Sequence, residues 1–82
     1  MNLRKDLIYR EIDGVIFDTA NGELHELNES ANDIISAFTK THNQNEVINI
    51  LQNKYSQSST EEIKESIKEL FSLFKNRGLL DE

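Results

Sequence analysis

Apolar residues alternate with polar ones in the first third of the chain and then recur every three to four positions, so the sequence divides into a sheet-forming part and a helix-forming part. Two dipeptides that readily supply positive φ at a tight hairpin, Asp13-Gly14 and Asn21-Gly22, bracket the β-branched and aromatic run Val15-Ile16-Phe17-Asp18-Thr19. Leu7-Ile8-Tyr9-Arg10-Glu11-Ile12 and Glu23-Leu24-His25-Glu26-Leu27 lie on either side of it. The pattern predicts three short strands in an antiparallel meander. Such a sheet needs the rest of the chain to cover its apolar face.

After Leu27 the period becomes helical. Asn28 is placed to cap a helix whose buried stripe is Ala31, Ile34, Ile35 and Phe38. A second helix is expected to begin near Asn43 or Asn45, with Glu46 three residues after Asn43 as in a capping arrangement. Its stripe is Val47, Ile50, Leu51 and Tyr55, with Ile48 on the shoulder. Ser59 and Glu62 form a capping box for the third helix, and Lys75 and Arg77 suit its negative end. Its inward stripe is Ile63, Ile67, Leu70 and Phe74, flanked by Phe71 on one side and Leu73 on the other. Gly78 closes it, and Leu79 and Leu80 follow where an apolar residue folds back onto the last turn. The expected fold is α+β: a three-stranded antiparallel sheet followed by three helices.

Length and charge narrow what such a domain can do. The 82 residues fit a single domain, 1–82, with 37% hydrophobic residues for a core. Nine Lys+Arg against 15 Asp+Glu give a net charge of −6, which opposes general affinity for nucleic acid or an anionic membrane. With no cysteine, the chain cannot form disulfides, thiolate nucleophiles, Cys-zinc sites or a protein-ligated iron–sulfur cluster. The opening residues show no apolar signal segment, and no stretch approaches the roughly 20 apolar residues that span a bilayer. A cytoplasmic location is the simplest expectation.

Catalytic chemistry finds no foothold. His25 falls in a strand and His42 in an inter-helix loop, without a metal-ligand motif around either. None of the seven serines and four threonines sits in a nucleophile elbow or beside a histidine base. The three glycines are explained by turns and a helix cap, not by a phosphate-cradling loop. The expectation is a protein that is not an enzyme and uses no metal or cofactor.

Two surfaces remain. On the third helix Lys64, Lys68 and Lys75 fall within about 40° of one another beside Phe71, a row suited to an acidic peptide. Taken alone, it also describes an ordinary solvated helix face. The third strand of the meander is an edge that can accept an extended peptide as an added strand. Glu23 and Glu26 are also the charges expected on an edge protected from aggregation.

The stretches Tyr9-Arg10-Glu11-Ile12-Asp13-Gly14, Asn21-Gly22-Glu23-Leu24-His25-Glu26-Leu27-Asn28-Glu29-Ser30-Ala31 and Ile67-Lys68-Glu69-Leu70-Phe71, with the later Arg77-Gly78-Leu79-Leu80, together resemble the PqqD-like family. These are the precursor-peptide recognition elements of ribosomally made, post-translationally modified peptide (RiPP) pathways. The resemblance spans about residues 7 to 81. It rests most on Leu27-Asn28 followed by Ala31, and on Gly78-Leu79-Leu80. It implies a stand-alone, winged-helix-like domain whose partners are a precursor leader peptide and a separate modifying enzyme or leader peptidase. Lasso-peptide and radical SAM pathways use such free-standing domains.

Carried across from the family, the leader pairs with Glu23, Leu24, His25, Glu26 and Leu27, in a groove walled by Lys64, Ile67, Lys68, Phe71 and Lys75. The sequence departs from the family pattern at Glu26, where many relatives carry an apolar residue. The loop Lys40-Thr41-His42-Asn43 also lacks the glycine often seen there. A winged-helix transcription regulator is the rival reading, but the second helix carries Gln44, Asn45, Asn49, Gln52 and Asn53 with only Lys54 as a cation.

Overall fold

Alternating burial in the first third and helical burial in the rest produce the expected three-stranded meander followed by three helices. The computed structural model describes residues 2–81. Met1 and Glu82, the ends of the 1–82 domain expected above, lie outside the described residues. The chain runs β1 (Asn2–Leu3), β2 (Leu7–Arg10), β3 (Val15–Asp18), β4 (Glu23–Glu26), α1 (Glu29–Thr41), α2 (Gln44–Lys54), α3 (Thr60–Asn76) and β5 (Leu80–Asp81). β2, β3 and β4 form the antiparallel meander, in that spatial order. The register sets Ile8 opposite Phe17 and Phe17 opposite Leu24. In the next row Tyr9 faces Ile16, which faces His25. Ile16 points into the core and is 0% exposed, whereas Ile8, Phe17 and Leu24 point away from it.

Each strand ends earlier than its apolar run suggests, because both connections are four-residue loops instead of two-residue hairpin turns. Glu11–Gly14 closes the first, with the Gly14 amide donating to the Glu11 carbonyl at 3.2 Å, and Ile12 at its tip is fully exposed. In the second, the Gly22 amide donates to the Asp18 carbonyl at 2.8 Å. Gly14 and Gly22 do supply positive φ, 64° and 67°, but at the last position of each loop.

β1 and β5 were not foreseen. They pair Asn2 with Asp81 and Leu3 with Leu80, joining the two ends of the chain in a second, two-stranded sheet. Two-residue strands are too short to show a period. Here the pairing is anchored by Arg4, whose amide donates to the Leu79 carbonyl at 3.0 Å and whose guanidinium donates to the Gly78 carbonyl at 2.7 Å.

The caps form as the sequence suggests. Asn28 accepts from the Ala31 amide at 2.8 Å, and Asn43 accepts from the Asn45 and Glu46 amides at 2.9 and 3.3 Å. Ser59 and Glu62 close their capping box in both directions, at 3.1 and 3.2 Å. At the end of α3, Leu79 donates to Phe74 and Gly78 to Lys75, at 2.9 and 3.1 Å, which is the Schellman arrangement. It leaves Leu79 0% exposed.

Two apolar clusters share the helices. One joins Ile34 and Ala37 of α1, Val47, Ile48 and Leu51 of α2, and Ile63 and Ile67 of α3. The other joins Ile16, Ile35, Phe74 and Leu79 between sheet and helices, and Leu70 packs against both. The stripes differ from expectation at three positions. Ile48 is buried in α2 while Ile50 is 44% exposed, because α2 packs on α1 and α3 and its buried arc widens toward Ile48. Ala37 of α1 is buried for a similar reason, since α1 sits between the sheet and α2.

Candidate functional site

Because β4 pairs only with β3, the other side of its backbone carries unsatisfied donors and acceptors, as on any edge strand. Leu24 on this strand is exposed, while His25 and Leu27 are half-buried against the helices. A depression of about 430 Å³ lies at the edge, lined by Glu23, Leu24, His25 and Arg77. A second, of about 220 Å³, is lined by Asn28, Ser30, Ala31 and Ile34 at the start of α1, and by Ser66, Glu69, Leu70 and Leu73 of α3. Leu73 thus faces the start of α1, and Arg77, which caps the end of α3, lies beside β4.

All five α3 residues carried over from the family line one groove of about 510 Å³, together with Gln44, Ser72 and Leu80. Ile67 is 2% exposed and forms its floor as part of the helical cluster. Phe71 leans on Phe38, with ring centroids 4.8 Å apart and planes tilted by 59°. Lys64, Lys68 and Lys75 are exposed along the rim. Neither Lys64 nor Lys68 joins an ion pair among the described residues.

No residue of β4 lines this groove. At about 100° per residue the lysine row stands roughly opposite Leu73 and Arg77 around the α3 axis. The five α3 residues thus share one groove, and Glu23, Leu24 and His25 share a separate depression with Arg77 at the end of α3. Leu73 and Arg77 were legible only as a shoulder residue and a helix-end charge. Their i,i+4 spacing was the available signal.

The remaining polar groups serve the fold. Asp18 is 2% exposed and accepts from Asn21 Nδ2 at 2.9 Å, the Ala20 amide at 3.0 Å and Arg4 at 2.9 Å. The Asn21 hydrogen bonds, with the nearby Arg4 guanidinium, hold its carboxyl below the ordinary range. Burial, with Glu11 and Asp33 nearby, pushes the Tyr9 phenol up to about 12, and its hydroxyl donates to the Asn32 carbonyl at 3.1 Å. Lys54, the cation of α2, is held by Asp33 at 2.7 Å and Glu29 at 3.4 Å, so it does not reach outward as a base-reading side chain would. Among the described residues no cluster of three or more His, Asp or Glu could hold a metal ion, and no helix is long and apolar enough to cross a membrane.

The domain is a small α+β fold whose meander has two edge strands, β2 and β4, with the end of α3 reaching the latter at Arg77. Residues 13–80 match the sequence model of the family described as coenzyme PQQ synthesis protein D (PqqD), and the chain belongs to that family. The family comprises non-catalytic accessory proteins that bind a precursor peptide for a partner enzyme in RiPP biosynthesis. No curated protein and no solved structure matches the chain.

Proposed function

We propose that this chain binds the leader segment of a ribosomally synthesised precursor peptide by strand addition to β4, against α3, and presents it to a separate modifying enzyme or leader peptidase. The observation that carries this reading is the free edge of Glu23–Glu26 beside the depression closed by Arg77. An extended leader fills the open hydrogen-bonding side of β4, and its alternate side chains meet Leu24, Leu70 and Leu73. Arg77 is placed for an acidic side chain. The lysine groove acts from the other flank of α3, where Lys64, Lys68 and Lys75 attract an acidic leader and Ile67 and Phe71 offer apolar contact. Once bound, the leader raises the effective concentration of its core peptide at the partner's active site by factors of about 10² or more.

Titration of a fluorescently labelled leader from the precursor encoded beside this protein tests the reading, with an expected Kd between nanomolar and micromolar. Leu73→Asp, which sets a charge in the depression between α3 and the start of α1, should weaken binding by about tenfold or more. Lys68→Glu acts at a wet rim and should cost roughly two- to threefold. Equal losses from both variants would move the leader to the lysine flank. If no neighbouring precursor peptide binds, the proposal fails, and a salt-sensitive shift with duplex DNA would favour a regulator instead.

A further inference from the structure

The outer face of the meander is apolar where a sheet exposed on one side is ordinarily polar. Ile8, Phe17 and Leu24 stand directly opposite one another in register across β2, β3 and β4, and are 51%, 37% and 57% exposed. They form a continuous band instead of scattered single residues, a small apolar surface that a matching face could cover. The next outward-facing row is Arg10, Val15 and Glu26, with the charges of opposite sign at its two ends. Arg10 is 68% exposed at its side chain and pairs with Asp13 at 2.9 Å within its own loop.

From this register we infer that the outer face of the sheet is a site for a second copy of this chain. Two such faces laid together about a two-fold axis parallel to β3 place β2 of one copy over β4 of the other. Phe17 then meets Phe17 of the second copy on the axis, and Ile8 meets Leu24 of the second copy on both sides. The same rotation sets Arg10 over Glu26 of the second copy, and Glu26 over its Arg10. One operation satisfies the apolar band and both charges, which is the self-complementarity that an isologous contact requires. The dimer covers the outer face of β4, Leu24 included, and leaves its backbone edge open, so strand addition and self-association share Leu24 but not the hydrogen-bonding edge.

The contact is small. Three strands about 4.8 Å apart and four residues of about 3.4 Å rise give a plan area on the order of 200 Å². A standard interface buries about 800 Å² of accessible surface per partner. Association is therefore weak, with a Kd on the order of 100 µM or above, as for contacts far below the standard interface size.

Sedimentation velocity and amide NMR from about 20 µM to 1 mM, on the protein alone, test this. Mass should rise with concentration, and the shifts that accompany it should fall on β2, β3 and β4, not on α3. Arg10→Glu or Glu26→Arg alone should weaken association by roughly fivefold, because each change is met twice in the dimer. The double variant Arg10→Glu/Glu26→Arg should recover it, since it exchanges the partners without removing the pairs. A protein that stays monomeric at 1 mM overturns the inference. So does a double variant no better than the singles, or shifts centred on the lysine groove. Leader titration does not enter this experiment, so its outcome leaves the proposed peptide binding untouched.

Discussion

Asp18 shows how a single residue gains its role from neighbours far along the chain. A buried carboxylate is costly unless it is hydrogen-bonded, and here Asn21, Ala20 and Arg4 all donate to it. Because these donors favour the ionised form, its folded pKa lies below the ordinary value of 3.8. A depressed acid contributes its stability above the unfolded pKa and loses it as pH falls through the folded one. Asp6, bonded by Arg4, and Glu11, bonded by Ser36 and Lys40, are shifted in the same direction. Denaturant melts should therefore show stability falling as pH drops below about 4, and Asp18→Asn should flatten that decline. An unchanged acid limb in the variant would contradict this account. In sequence Asp18 read only as the tail of a strand, because its donors come from the following loop and from Arg4.

Helix ends were the most legible elements. Caps are local, made by residues within three or four positions of one another, so Asn28, Asn43, Ser59 and Gly78 could be placed without tertiary information. The connection between α1 and α2 is the exception. His42 ends α1 in the left-handed region at φ 53°, a conformation that favours glycine. Here the missing glycine of the Lys40–Asn43 loop acquires a physical meaning: His42 occupies a position of backbone strain. His42→Gly should raise stability by about 0.5–1 kcal/mol, less whatever the freer unfolded chain gives back. In a domain of this size, 1 kcal/mol corresponds to roughly 4–8 °C in Tm, and thermal melts would reveal it. A lower Tm in the variant would mean that the imidazole makes contacts outweighing the strain.

The whole molecule is held by two clusters that meet on the helices. Adjacent residues of α1 serve different ones: Ile34 packs among the three helices, and Ile35 against Ile16, Phe74 and Leu79. With Leu70 touching both, the clusters should melt as one unit. Ile34→Ala and Ile35→Ala are each expected to cost about 2–4 kcal/mol, in a single transition seen alike by far-UV circular dichroism and tyrosine fluorescence. Two separated transitions would show that the helical cluster folds apart from the sheet.

Local patterns were enough to determine the meander and the three helices in order, their caps and most of the buried stripes, but not the β1–β5 pairing. Each of these depends on spacing along one element. The tertiary structure decided how those elements are turned toward one another. Packing of Ile63, Ile67 and Phe74 fixes the rotation of α3 about its own axis. That rotation carries the lysine row to the side of Gln44 and Leu80, and brings Leu73 round toward the start of α1 and Arg77 toward β4. A helical period identifies which residues share a flank, but the element that flank meets depends on contacts between distant parts of the chain.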